Sequence, residues 1–310
     1  MKILKSLFLI LLATFAFAAE NKSKTDAGSM TSTTFITFTK LDFAALDIGC
    51  GSEGDVCAVG VNKRLYCYDF VQDIWNLIPN NDEISDIIAV DVDDDGKIYI
   101  IAQCGIYYLD CFDKWIRLPG SGKDIGVGVN FDVWKIGTDK ESATSNNYGV
   151  WKLFCECDCN CICSRICLRF RKLSLNICEP VVRRRCYWFR AEVYGVAIDV
   201  NPNGDAAVVR ADGKVFIVNG LTFESSELIA TNPKIAVDVT FGNTGLLFIT
   251  TASGEIYKFD VATKTWIKVT QATVPGSRIC GTAFDHIFYT AKDSDINKQY
   301  VYTSARFEFI

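Results

Sequence analysis

Asp124-Ile125-Gly126-Val127-Gly128 repeats Asp47-Ile48-Gly49-Cys50-Gly51. After each leading aspartate another follows, Asp55 or Asp132, and opens an apolar run. Arg278-Ile279-Cys280 begins the same layout, with His286-Ile287-Phe288 in the matching place. Ala197-Ile198-Asp199-Val200, Ala236-Val237-Asp238-Val239 and Ala89-Val90-Asp91-Val92 form a second related set. Repeat starts near 47, 86, 124, 195, 234 and 278 leave gaps of 39, 38, 71, 39 and 44 residues. Self-similarity at this period marks an array of small units.

Within a unit, short alternating or apolar runs are separated by turn residues. Lys97–Ala102, Ile106–Asp110 and Trp115–Leu118 read as three strands of the second unit. Tyr66-Cys67-Tyr68-Asp69, Tyr107-Tyr108-Leu109-Asp110 and Tyr257-Lys258-Phe259-Asp260 lead to Trp75, Trp115 and Trp266, a shared tail that reads as core. Four short strands per unit of about 40 residues is the pattern of a β-propeller blade. Phe38-Thr39-Lys40-Leu41 precedes Asp47 as Trp115-Ile116-Arg117-Leu118 precedes Asp124, so the N-terminal strand takes the place of a last blade strand. The expectation is an all-β, six-bladed β-propeller over residues 33–310, closed by pairing of its N- and C-terminal strands around 286–305, with an insertion in the third blade.

Trp115-Ile116-Arg117-Leu118-Pro119-Gly120, then Asp124 to Asn130, then Val133-Trp134-Lys135-Ile136-Gly137, resembles a tectonin β-propeller repeat. Cys57, Tyr99, Ala207, Phe248 and Phe288 stand at the position of Trp134 in the weaker copies. The resemblance implies a lectin-like module that binds glycans or a microbial or extracellular surface through blade loops, without enzymatic activity or cofactor. The alternative is a scaffold in an extracellular or vesicular assembly, docking a protein partner through the insertion.

Residues 1–19, MKILKSLFLILLATFAFAA, combine Lys2 and Lys5, a short apolar run and a small-residue cleavage pattern. This reads as a secretory signal peptide and not a membrane span. Residues 20–32 form a polar tail, expected to be mobile, with a glycosylation sequon at Asn21. An oxidising compartment makes disulfides the default for the 14 cysteines.

Residues 154–186 form the expected insertion, with Cys155, Cys157, Cys159, Cys161, Cys163, Cys167, Cys178 and Cys186. Neighbouring members of the alternating run lie about 6.6 Å apart along a strand and pair poorly with each other, so their partners belong on another segment. A thiolate cluster for a soft metal is the alternative. From Arg165 to Arg190 eight Arg or Lys face the single acid Glu179, although the whole chain carries −5. Arg169, Arg171, Lys172, Arg183, Arg184, Arg185 and Trp188 are therefore candidates for meeting anionic glycans, headgroups or a protein partner; solvation of an exposed loop is the plainer reading. Nucleic acid fits a secreted acidic chain poorly.

Asp91, Asp93 and Asp95, ahead of Gly96, fit the first half of a calcium loop, but Ala102 stands where the closing glutamate belongs. Asp199-Val200-Asn201-Pro202-Asn203-Gly204 repeats the pattern, which favours a hairpin turn. Cys57 and Cys67 face each other across a predicted turn, which makes a cross-strand disulfide plausible, and Cys50 and Cys280 lie on expected inner strands, where free buried cysteines are also common. The single histidine, His286, has no matched nucleophile.

Overall fold

The computed structural model describes residues 38–51, 54–80, 84–110, 112–157, 184–242, 244–269, 276–282, 286–292 and 299–304. The segments 1–19 and 20–32, with Asn21, lie outside the described residues, as do Arg169, Arg171, Lys172, Arg183, Cys159, Cys161, Cys163, Cys167 and Cys178.

The strands come in groups of four. The first group is β1 (Thr39–Cys50), β2 (Val56–Gly60), β3 (Leu65–Asp69) and β4 (Ile74–Leu77). The second is β5 (Ile87–Val92), β6 (Ile98–Ala102), β7 (Gly105–Leu109) and β8 (Trp115–Leu118). The third is β9 (Asp124–Val127), β10 (Val133–Lys140), β11 (Tyr148–Cys157) and β12 (Arg184–Gly195). The fourth is β13 (Ala197–Val200), β14 (Ala206–Val209), β15 (Val215–Val218) and β16 (Ser225–Glu227). The fifth is β17 (Ala236–Phe241), β18 (Leu247–Thr251), β19 (Ile256–Asp260) and β20 (Thr265–Lys268). Then come β21 (Gly276–Gly281), β22 (Ile287–Lys292) and β23 (Gln299–Thr303). One 3-10 turn, Val129–Phe131, is the sole helical element among the described residues, and no helix there is long and apolar enough to cross a membrane.

Groups two to five each form a four-stranded antiparallel sheet. The remaining strands form one seven-stranded sheet, because β1 serves two ladders. Its first half pairs with β23, setting Thr39 opposite Thr303 and Ala44 opposite Tyr300. Its second half pairs with β2, from Ala45 opposite Gly60 to Cys50 opposite Val56. The first strands neighbour one another in the order β1, β5, β9, β13, β17, β21 and back to β1.

Burial explains the composition. The second strands β2, β6, β14 and β18 are buried throughout, which is why they read as unbroken apolar runs. Neighbouring sheets pack face to face through separate apolar clusters. Trp134, Tyr99, Phe248 and Phe288 are fully or almost fully buried, at the register position that Cys57 and Ala207 share. The recurring tryptophans join neighbouring sheets. Trp115 Nε1 donates to the Pro79 carbonyl at 3.0 Å, and the Asn232 side chain brackets the Trp266 backbone at 2.7 and 2.9 Å.

Three disulfides are present among the described residues. Cys57–Cys67 bridges β2 and β3, and Cys155–Cys186 bridges β11 and β12. Cys50–Cys280, 230 residues apart, joins two cysteines whose state the sequence left open, because adjacency of β1 and β21 arises only in the folded chain. Cys104 is exposed, and its sulfur accepts a hydrogen bond from the Tyr107 hydroxyl at 3.2 Å. Strand pairing of β11 with β12 runs to Cys157 opposite Arg184, so sheet structure reaches into both ends of the expected insertion.

Candidate functional site

Two features carry the chemistry: a carboxylate array where the first strands meet, and the arginine-aromatic hairpin β11–β12. The array begins with strand register. Asp47, Asp124 and Asp238 occupy one position on β1, β9 and β17, and Ala89, Ala197 and Arg278 occupy it on β5, β13 and β21. Two residues further on stand Gly49, Gly126 and Thr240, alternating with Asp91, Asp199 and Cys280. An offset of two keeps both layers on one face of a strand.

Each aspartate accepts a hydrogen bond from the backbone of the next sheet. Asp47 takes the N–H of Val90 at 2.8 Å, Asp91 that of Val127 at 2.7 Å, and Asp124 that of Ile198 at 3.0 Å. Asp199 takes Phe241 at 2.6 Å and Asp238 takes Ile279 at 2.8 Å. The Thr240 hydroxyl accepts from Gly281, and Cys280, next in that layer, is covalently joined to Cys50. A Cβ on Gly49 would collide with the Val90 and Asp91 backbone, so the contact requires glycine there.

Arg278 spans the array. Its Nε lies 3.2 Å from Asp47, and its Nη1 lies 3.2 Å from Asp124 and 3.6 Å from Asp238. Five carboxylates with one guanidinium leave an excess of negative charge in a poorly solvated place. Burial pushes Asp47 up to about 6 against the pull of Arg278, and Asp199 up to about 6. Burial and Asp199 hold Asp91 well above the usual carboxylate range, and burial does the same for Asp238 despite Arg278. Asp124, with Asp47 and Asp238, keeps Arg278 charged by raising its pKa. The cavity between these groups measures about 20 Å³, room for roughly one water molecule.

The hydrogen bonds of the weak calcium candidates fit the hairpin-turn reading. Asp91 is committed to Val92 and Val127. Asp93 accepts from the N–H groups of Asp95 and Lys97 and caps the turn, and Asp95 is exposed. Gly96 and Gly204 adopt φ of 74° and 84° in the two equivalent turns, as a hairpin needs. No group of three metal-ligating side chains is placed to hold an ion among the described residues.

On β12, alternation divides the residues between two faces. Cys186 and Trp188 pack over the apolar cluster around Tyr99, Ile101 and Leu118. Trp188 Nε1 donates to the Pro119 carbonyl at 2.7 Å, and Lys135 Nζ lies 4.0 Å from the ring centre. The polar edge of Trp188 is thereby engaged at the sheet junction, while its ring stays partly exposed. Burial lowers Lys135 to about 8 while its ammonium donates to the Ser121 carbonyl. Arg185, Tyr187 and Phe189 occupy the other face and are exposed. Phe154 meets Phe189 edge-on at 5.0 Å, and Tyr187 meets Phe189 at 5.2 Å. Arg190 lies 4.6 Å over Tyr194 and pairs with Asp139 at 3.7 Å. Of the basic candidates, Arg185 is brought to this surface; the Arg184 backbone belongs to β12. Sequence reasoning missed Phe154 and Phe189; alternation along β12 was the available signal.

No family model matches the chain, and no curated protein matches it. Solved structures do. A gluconolactonase of Xanthomonas campestris is 11% identical, with 91% of this chain and 98% of that one covered and a TM-score of 0.57. Virginiamycin B lyase of Staphylococcus aureus is 13% identical, with 86% and 98% covered and a TM-score of 0.52. A streptogramin B lyase is 14% identical, with 86% and 87% covered and a TM-score of 0.51. These are β-propellers, and at such identity the likeness shows the fold alone.

Proposed function

We propose that this chain is a non-enzymatic binding module: a secreted, six-bladed propeller of tectonin type, closed where the first half of β1 completes the β21–β23 sheet and locked by Cys50–Cys280. The observation that carries the reading is Arg278. Its guanidinium bridges carboxylates of three sheets where the first strands meet, and the cavity left there is far below the roughly 300 Å³ of a ligand pocket. Binding then falls to surface groups, and the hairpin with Arg185, Tyr187 and Phe189 pairs a cation with aromatic area. The tectonin resemblance directs the first test to glycans. A glycan array with the disulfide-bonded protein, repeated with Arg185→Ser, is expected to give binding that the variant weakens. Silence across the array, or hydrolysis of a lactone by the purified chain, would overturn this form of the reading. Docking of a protein partner is the second reading, favoured by the outer edge of β12, to which no further strand pairs among the described residues.

A further inference from the structure

We propose that the outer edge of β12 receives an extended, acidic segment of a partner protein as an added antiparallel strand. This rests on the protein-docking form of the binding reading above.

The first observation is length. The outer strands β4, β8 and β20 have 4 residues and β16 has 3, whereas β12 has 12. Short outer strands protect a sheet edge, and a long one offers a template for pairing. The second is direction. Cys155 and Cys186 are cross-strand partners with Cα atoms 4.0 Å apart, the close spacing of a non-hydrogen-bonded pair. Residues in such pairs turn their N–H and C=O away from the neighbouring strand. By the register, Cys186 and Trp188 therefore aim their peptide groups at the open side, while Tyr187 and Phe189 direct theirs to β11. The Cys155–Cys186 bridge fixes this strand before any partner arrives, which lowers the ordering cost of binding.

The third observation is charge. Arg185 and Arg190 are exposed on β12, and Glu192 is the only acid in the strand. A second copy of the chain would bring its own Arg185 to the same edge, where like charges oppose pairing. An acidic strand neutralises Arg185 instead, Arg190 being already paired with Asp139. On the Arg185 face, a carboxylate opposite Arg185 and an aromatic or β-branched residue beside Phe189, itself 49% exposed, complete the added strand.

The probe is a fluorescein-labelled peptide, Glu-Val-Glu-Val-Tyr-Val-Glu, with two controls: Lys for every Glu, and N-methylation at alternate residues. Fluorescence anisotropy with the full disulfide-bonded chain is expected to show saturable binding. Arg185→Glu is expected to weaken it at least tenfold, and both control peptides to fail. Hydrogen exchange at the Cys186 and Trp188 amides is expected to slow on binding. Equal binding of the acidic and basic peptides would overturn the proposal, as would no binding, or amides of Cys186 and Trp188 already protected in the free monomer or in a dimer. The glycan array run on the same sample separates the two ideas: glycan binding with no peptide binding removes only the strand-addition proposal, and silence in both removes the binding module as well.

Discussion

Replacing Arg278 by methionine is expected to destabilise the protein in a pH-dependent way. Methionine keeps an unbranched stem of similar length, so the perturbation is chiefly the loss of charge. In the native protein the guanidinium lies 3.2, 3.2 and 3.6 Å from carboxylates of three different sheets. Removing one member of a buried ion cluster typically costs about 3–5 kcal/mol, because the opposite charges stay behind. A quarter of the Arg278 side chain is exposed, so solvent offsets part of this and the low end applies, about 3 kcal/mol at pH 8. For a domain of this size that is a fall in Tm of roughly 6–12 °C. At pH 5 the orphaned carboxylates take up protons and need no partner, so the loss should shrink to about 1 kcal/mol. Arg278→Lys, which keeps the charge without the fork, is expected to fall between. Thermal melts by circular dichroism at pH 5 and pH 8 measure this. An equal loss at both values would mean that Arg278 acts through packing, and no loss at pH 8 would refute the electrostatic account altogether.

Wild-type stability should itself rise as pH is lowered from 8 toward 5. Asp47 and Asp199 bind protons with folded values of about 6 against 3.8 when unfolded, so the native state holds more protons through that window and loses stability as pH climbs through 6. Burial raises Asp91 and Asp238 as well, which adds to the same trend, and a flat Tm profile would contradict it. The chain-entropy estimate for closing loops of 230 and 10 residues gives upper figures of roughly 5 and roughly 3 kcal/mol. Urea unfolding should therefore show Cys50→Ala with Cys280→Ala losing clearly more than Cys57→Ala with Cys67→Ala; the reverse order would remove Cys50–Cys280 as the main staple. Asp93→Ala frees two backbone N–H groups at a turn and should cost about 1–3 kcal/mol, with the same Tm in calcium and in chelator. A calcium-dependent Tm in wild type that the variant lacks would restore the metal reading.

The repeat was legible because the units share physical parts: buried second strands, turn glycines and, in three of them, a tryptophan in the outer strand. The alignment that set Cys57, Tyr99, Ala207, Phe248 and Phe288 against Trp134 coincides with the strand register. Arg278 in the place of Asp47 was visible in the same alignment. Its meaning was not, since a lone arginine in a repeat position carries no sign of which carboxylates it meets.

Local periodicity, then, determined the strands, their order and the cross-strand pair Cys57–Cys67, because those depend on residues a few positions apart. Tertiary structure alone decided that two sequence families, with aspartates offset by two residues, feed one axial array. It also decided that Cys50 reaches Cys280, and that Trp188 faces a sheet junction while Arg185 and Phe189 face outward. Each of these joins segments far apart in sequence, and the physical cause is the packing of the first strands against one another, whose neighbours no short-range pattern specifies.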